Sequence, residues 1–381
     1  MDKTVVEKYF TDQFGEAPQL TIASPGRINL IGEHTDYNNG FVLPAAINQC
    51  IQFAVGKRSD NEVHLYSIDK KEHYTISLGA LKRSALLWPD YIIGVVVELQ
   101  KTGLVVKGFN AAVTGNIPLG AGLSSSAALE CATVFALNEL FQFGLDKISM
   151  VKLSQHAENN FVGVQCGIMD QFASMMGKAG HVIKLDCHSL AYEYFPLQLV
   201  GYRIVLLDSQ VKHSLASSEY NTRRRECNEG IQSINKKYPL VKSLRDATIG
   251  MVDEMITETI VYNRCRFILE ENDRLQRGCE DLERGDIAAF GKKMYTTHEG
   301  LSKLYEVSCT ELDFLVNECR KEKDILGARM MGGGFGGCVI AIMKNESVDI
   351  LSDSINKAYH EQMGKNLKVY VTSIADGTGI N

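Results

Sequence analysis

Over the first 115 residues, short apolar runs rich in β-branched side chains are separated by polar positions. On that pattern Thr21 to Ala23, Cys50 to Val55 and Val63 to Ile68 read as strands. Phe109 to Thr114 reads as another strand and runs into Gly115-Asn-Ile-Pro-Leu-Gly-Ala-Gly-Leu-Ser-Ser-Ser126. Small and apolar residues then recur at helical spacing from Ser125 to Phe141, and Gly144 supplies a stop. The sequence there is strand, glycine-rich loop, helix. A second helix is predicted from Asp146, which can cap it, to about Asn160. After Phe195-Pro196 the pattern changes to long amphipathic helices, roughly Ser217 to Lys236, Met255 to Asn272 and Ile287 to Glu306. Strands are expected between them at Arg203 to Leu207, Val339 to Met343 and Val369 to Ser373. The change of pattern places a domain boundary near Leu190, dividing 1–190 from 191–381 without a low-complexity linker or an internal repeat.

Polar groups interrupt the pattern most densely in Pro25-Gly-Arg-Ile-Asn-Leu-Ile-Gly-Glu-His-Thr-Asp-Tyr37. An arginine, two carboxylates, a histidine and a tyrosine stand among apolar residues directly after a strand. Burying such a set is costly unless a ligand or an internal network satisfies it. The segment is the best local pointer to a site, although pairing of Arg27 with Glu33 or Asp36, and a structural role for His34, would also account for it.

Length and charge narrow the functional classes. At 381 residues the chain exceeds what one core normally supports, so two domains are expected. The formal charge of -6 gives no general attraction to nucleic acid or to an anionic membrane, and neither is expected as a partner. Any anionic ligand must be held by local donors. Charges in Met1-Asp-Lys-Thr-Val-Val-Glu-Lys, and no apolar run approaching about 18 residues, predict a cytosolic protein. Ten cysteines without a Cys-x-x-Cys pair fit reduced thiols, and Cys187 beside His188 is the nearest approach to a metal pair.

Gly120-Ala-Gly-Leu-Ser-Ser-Ser-Ala-Ala128 has the ingredients of a phosphate cradle. Glycines admit a close backbone, and the following helix presents free N–H groups and a positive dipole end. Serine hydroxyls can reach phosphate oxygens or a hydrated metal ion. The segment has no lysine and is not a Walker A loop; a tightly packed helix start is its simpler local reading. Gly332-Gly-Gly-Phe-Gly-Gly337 satisfies Gly-x-Gly-x-x-Gly but precedes a strand, Cys338 to Ile342, which excludes a Rossmann site and favours a tight turn. Locally, Asp170 reads as a helix cap, Tyr220 as a packed aromatic, and Glu158 as a solvated carboxylate near an unfavourable dipole end that a cation would relieve. Arg223-Arg-Arg225 reads as a solvated helix face interleaved with Glu219 and Glu226.

Taken in order, Pro25 to Tyr37, Pro118 to Ala128 and Met331 to Gly337 resemble the GHMP small-molecule kinases, most closely the members that phosphorylate galactose. Cys166-Gly-Ile-Met-Asp-Gln171 and Ser217-Ser-Glu-Tyr-Asn-Thr-Arg-Arg-Arg225 are similar to the same members, so the resemblance spans nearly the whole chain. It implies an α/β (α+β) fold of two domains with the active site in the cleft between them. It also implies ATP and Mg2+ as cofactors, and conversion of galactose to galactose 1-phosphate.

By the same resemblance, Asp170 would lie beside the anomeric hydroxyl and Arg27 between it and the transferred phosphoryl group. Glu33, His34, Asp36 and Tyr220 would hold sugar hydroxyls, with the Gly167 backbone close by. Gly120, Ala121, Gly122, Leu123, Ser124, Ser125 and Ser126 would hold the nucleotide phosphates, Trp88 would line the adenine side, and Ser126 and Glu158 would hold magnesium. A carboxylate is a weak base at neutral pH, so Asp170 is expected to orient the hydroxyl and take its proton late. An N-acetylgalactosamine kinase would use the same residues with more room at the 2-position. A non-catalytic sensor of ATP and galactose would lack a serine–alanine pair where this chain has Ser126 and Ala127. The pattern is compatible with a monomer.

Overall fold

The protein is described by a computed structural model covering residues 2–118, 120–212 and 216–381; Leu119 of the loop motif lies outside them. The first half runs α1 (Lys3–Phe14), β1 (Leu20–Asn29), β2 (Phe41–Val42), β3 (Pro44–Lys57), β4 (Glu62–Ser67), β5 (Glu72–Ser77), α2 (Trp88–Lys101), β6 (Phe109–Gly115), α3 (Ser125–Phe141), α4 (Lys147–His156), α5 (Met169–Met176), β7 (His181–Asp186) and β8 (Tyr192–Pro196). The second half runs β9 (Tyr202–Lys212), α6 (Ala216–Asn235), α7 (Ile249–Met255), α8 (Thr259–Glu283), α9 (Ile287–Lys303), α10 (Thr310–Lys321), β10 (Ile325–Met330), β11 (Gly336–Lys344), α11 (Val348–Met363), β12 (Lys368–Thr372) and β13 (Gly379–Ile380).

Three sheets organise these elements: β13-β1-β3-β6-β4-β5, β10-β11-β9-β12 and β2-β7-β8. Within the first, β4 and β6 are parallel and the other pairs antiparallel. The chain's last strand returns to the first sheet, with Ile380 opposite Ile22. Among the described residues no helix is long and apolar enough to cross a membrane.

Helix α3 has the limits its composition predicts, and its burial explains why: Leu129, Cys131, Val134 and Leu137 face different directions and are all buried. A helix apolar on every side belongs in the middle of a core. Asp146 caps α4 through the Ser149 N–H, as its side chain predicts. That helix then loosens into a π-helical turn, Ala157–Val162. The expected helix from Met255 to Asn272 is corrected: α7 ends at Met255, and Glu258 starts α8 by accepting from the Ile260 and Val261 N–H groups. Glutamate is not a preferred N-cap, so the break carried no recognisable signal.

The core has three large parts. One packs α2 to α5 on the first sheet, and one packs the later helices on the second. The third joins the halves, setting Ile28, Leu30 and Ile31 against Leu275, Phe290 and Ile340. The end of β1 therefore sits where the two halves meet, and so does the polar segment that follows it.

Candidate active site

A register shift in β1 between Pro25 and Arg27 re-aims the arginine side chain. A Cβ on Gly26 would stand 2.8 Å from the Leu123 carbonyl, so glycine is what lets this strand touch the glycine-rich loop. The Arg27 N–H donates to that carbonyl at 3.1 Å. Its guanidinium donates to Asp170 through Nε at 2.8 Å and Nη2 at 3.0 Å, and to the Gly122 carbonyl through Nη1. Ser124 Oγ donates to the same carboxylate. Asp170 does not cap α5, since Ile168 holds the cap position; it lies in the first turn, near the positive dipole end. The local alternatives, Arg27 with Glu33 or Asp36, are not what forms. Asp170 keeps a quarter of its side chain exposed, facing a cavity of about 550 Å³.

Glu33, His34, Asp36, Gly167 and Tyr220 line the same cavity. Glu33 is not free: it accepts from Arg329 at 2.8 Å and from Asn29 Nδ2 and the Gly332 N–H. Arg329, itself fully buried, also donates to the carbonyls of Asn29, Leu30 and Met330. It thereby ties β10 to the end of β1. Burial first, and then the negative charge of Asp170, pushes the Asp36 carboxyl up to about 6. Gly167 packs so closely that a Cβ there would lie 1.8 Å from Asp36 Oδ2. His34 is 4% exposed, and its Nε2 is buried without a hydrogen-bond partner. Tyr220 sets its ring 5.5 Å from that imidazole and 5.0 Å from Tyr37.

Glu158 overturns its local reading, for it is buried at 6% exposure on the π-helical turn. Burial first, and then Asp170, pushes its carboxyl up to about 7, against hydrogen bonds from Cys166, Ser126 and Gln171. Gln171 Nε2 donates to Glu158 at 2.7 Å and to Glu130 at 3.1 Å, linking two buried carboxyls. Burial, then Glu158, holds the Glu130 carboxyl well above the ordinary glutamate range. The structure thus brings Ser126 and Glu158 together. Ser124 makes no side-chain cap on α3, leaving the N–H groups of that helix's first turn available. The residues from Gly120 to Ser126 do not line the main cavity; they join it through Arg27 and Ser124. Trp88 lies elsewhere, 7% exposed in the first core, with Nε1 donated to Glu72 at 2.8 Å.

Two further expectations change. Arg223 pairs with Glu219 at 3.4 Å and Glu226 at 3.5 Å, as the interleaved acids allow, but it is not solvated: it is buried and also donates to the carbonyls of Tyr305 and Glu306. Arg224 donates to the Gln165 carbonyl at 2.9 Å, and Arg225 pairs on the open face with Glu229. The Gly332 to Gly337 segment is a tight turn between β10 and β11, as expected, yet Gly332 and Gly333 also line the cavity. Among the described residues no group of three histidine, cysteine, aspartate or glutamate side chains could hold a metal by itself, Cys187 and His188 included. Sequence reasoning missed Arg329 and Glu130. Only Glu130 had a local signal, standing one helical turn after Ser126 on α3.

Three family models match the chain: the galactokinase galactose-binding signature over residues 8–57, the GHMP kinases N terminal domain over 90–178, and the GHMP kinases C terminal domain over 280–361. The galactokinase of Thermotoga petrophila is 42% identical over 358 residues, covering 94% of this chain and 99% of that protein. The galactokinase of Lacticaseibacillus casei is 40% identical and covers 99% of both. The crystal structure of Lactococcus lactis galactokinase complexed with galactose superposes with a TM-score of 0.95 at 34% identity, covering 99% of both chains. A mevalonate kinase structure, at 18% identity and a TM-score of 0.67 over 94% of this chain and all of the other, shares the fold.

Proposed function

The chain belongs to the galactokinases, a branch of the GHMP kinase family, and from that premise we propose that it transfers the γ-phosphoryl group of ATP to the anomeric hydroxyl of galactose, giving galactose 1-phosphate and ADP. The observation that carries this reading is the Arg27–Asp170–Ser124 cluster, which opens on a cavity walled by Glu33, His34 and Asp36. Residues 1–190 would supply the phosphate loop and most of the sugar contacts, and residues 191–381 would supply Tyr220 and the Gly332 turn, acting together in the cytosol.

Phosphoryl transfer passes through a loose transition state, so alignment and charge neutralisation matter more than base strength. Asp170, fixed from two sides by Arg27 and Ser124, can aim its exposed edge at one hydroxyl. Its bidentate partner keeps it from swinging. The proton moves to it late, once bonding to phosphorus makes the hydroxyl acidic. Arg27 also grips Gly122, so one side chain ties the position of the acceptor to that of the phosphate loop. The first-turn N–H groups of α3 would receive the phosphates. Trp88 would serve the nucleotide only through packing, its N–H being committed.

The donor set suits magnesium. Ser126 and Glu158 offer hard oxygens close enough for the serine to hold down the glutamate's pKa, and Gln171 Oε1 and Glu130 Oε1 are buried without partners. Magnesium held by Ser126 and Glu158 would neutralise charge on the nucleotide phosphates. The test is ADP release with galactose, N-acetylgalactosamine, glucose and arabinose in parallel. Galactose should be turned over fastest, and no turnover of galactose overturns the assignment.

A further inference from the structure

Helix α5, which carries Asp170 in its first turn, has only 8 residues. Helices of fewer than about 12 residues are marginal on their own, so this one depends on what grips its ends. Its last four carbonyls have no partner among its own N–H groups, and each is taken from beyond the helix. The Ala173 carbonyl accepts from the Gly177 N–H at 3.1 Å, Met175 from Lys147 Nζ at 3.1 Å, and Met176 from the Tyr194 hydroxyl at 2.6 Å. The Ser174 carbonyl accepts twice from Thr378, through N–H at 2.8 Å and Oγ1 at 2.9 Å. Thr378 stands between β12 and β13, 204 residues along the chain from Ser174.

The same threonine reaches the strand that carries Arg27. Ser24 Oγ lies 2.8 Å from Thr378 Oγ1 and 3.1 Å from Ser174 Oγ, and Ser174 Oγ donates to the Pro25 carbonyl at 2.7 Å. Ser24, Ser174 and Thr378 are all buried, at 1% exposure or less. Pro25 stands at the register shift that re-aims Arg27, and Ser174 stands one helical turn after Asp170 on the same face of α5. Three hydroxyls thus bridge β1 to α5 directly behind the two residues that pair across them. Two further bonds seat the bridging segment: the Gly377 N–H donates to the Gly177 carbonyl at 2.9 Å, and the Ala179 N–H to Asp376 at 2.9 Å.

We propose that Thr378, with Ser24 and Ser174, is a positioning residue for phosphoryl transfer: the hydroxyl bridge fixes the spacing of β1 and α5, and with it the aim of the Arg27–Asp170 pair. This rests on the sugar-kinase reading of the cavity. The pair is held by two parallel bonds, at 2.8 and 3.0 Å, which both survive only if strand and helix keep their register. Catalysis by alignment is sensitive to such shifts, since misplacement by about 1 Å can cost about a hundredfold in rate. None of the three bridging residues lines the cavity, so turnover depends on them more than substrate binding does.

Thr378→Val removes the hydroxyl at nearly constant volume. In a coupled ADP assay run well below the variant's thermal midpoint, kcat should fall about ten- to a hundredfold while the KM values for galactose and ATP stay within about twofold. Thr378→Ser, which keeps the hydroxyl, should recover kcat. Ser24→Ala leaves both Thr378 bonds to α5 in place and cuts the link to β1; it should lower kcat in the same way, and it carries the test if Thr378→Val does not fold. An unchanged kcat in either variant that folds, a rise in KM alone, or a loss that Thr378→Ser does not recover overturns the proposal. A second measurement needs no turnover. In protein labelled with 15N-arginine, the Arg27 Nε–H resonance, identified by its absence in Arg27→Lys, should move in Thr378→Val or Ser24→Ala; an unmoved resonance overturns the bridge. A moved resonance in a protein that does not phosphorylate galactose would leave the bridge standing and remove the sugar reading.

Discussion

Lowering the pH should weaken magnesium–nucleotide binding through Glu158, and the size of the effect follows from where that carboxyl sits. Its pKa of about 7 against the ordinary 4.5 comes from burial and from the charge of Asp170. A metal ligand must be deprotonated, so binding has to expel this proton wherever the free protein holds it. With a pKa of about 7, roughly nine tenths of the free protein carries the proton at pH 6 and roughly one tenth at pH 8. Apparent affinity should therefore fall about tenfold between pH 8 and pH 6, with about 0.9 proton released per site at the lower pH. Calorimetric titration of Mg·ADP in buffers of different ionisation heat reads both quantities. Protons released by the same nucleotide and metal without protein are subtracted, and Glu158→Gln is the control. Equal proton release by wild type and Glu158→Gln, or an affinity ratio below about twofold, would refute the reasoning.

The same proton should be visible in the ligand-free protein. The folded state binds it more tightly than the unfolded chain, where a glutamate titrates near 4.5. From this group alone, stability is greatest below about 4.5 and is lost as pH rises through about 7, by about 3 kcal/mol in total. Asp36, raised to about 6, acts in the same sense over a window between about 4 and 6. Removing the Glu158 charge in Glu158→Gln should flatten the pH dependence of urea unfolding above pH 5.

Three other outcomes are expected. Gly167→Ala puts a methyl 1.8 Å from Asp36 Oδ2, so the carboxylate must move; galactose binding by calorimetry should weaken by at least tenfold and the thermal midpoint should fall, consistent with an overpacking cost of about 1–3 kcal/mol. Asp170→Asn should cut kcat by about 10²- to 10⁴-fold in a coupled ADP assay while leaving circular dichroism unchanged, and near-normal turnover would remove Asp170 from the chemistry. Arg329→Met leaves Glu33 buried without its cation; unfolding in urea should show a loss of about 3–5 kcal/mol, and a loss below about 1 would mean that the pair is not structurally important.

What the sequence could convey depended on how far each interaction reaches along the chain. Ser125 to Phe141 was readable to the residue because every determinant of that helix lies inside it. Glu158 was misjudged because its burial is produced by Gln171 and the π-helical turn, and a π turn has the same local composition as the α-helix it interrupts. Arg223 was misjudged for a related reason. Its pairs with Glu219 and Glu226 are local, but the two acceptors that go with its burial, the carbonyls of Tyr305 and Glu306, belong to a segment about 80 residues away and are backbone groups that no side-chain pattern reveals. Glu33 was placed in the site but not in its salt bridge, since Arg329 is 296 residues distant.

The arrangement of charge in the cavity explains why a site so costly to fold can persist. Glu33, Asp36, Glu158 and Asp170 all face one space, and the charge of Asp170 helps raise the pKa of both Asp36 and Glu158. The arginines that bind two of them are already committed: Arg27 binds Asp170 and Gly122, and Arg329 binds Glu33 and three carbonyls, while Arg224 acts on Asp36 too weakly to offset burial and Asp170. Neither Arg27 nor Arg329 can turn to neutralise Asp36 or Glu158 without leaving a buried partner unpaired, which would cost more than the repulsion it relieved. Relief must therefore come from outside, as hydroxyl hydrogens at Asp36 and positive charge at Glu158. Those are the two things that a sugar and a magnesium-bound nucleotide bring. The core where Ile28, Leu30 and Ile31 meet Leu275, Phe290 and Ile340 supplies the burial that holds the unfavourable arrangement in place until they arrive.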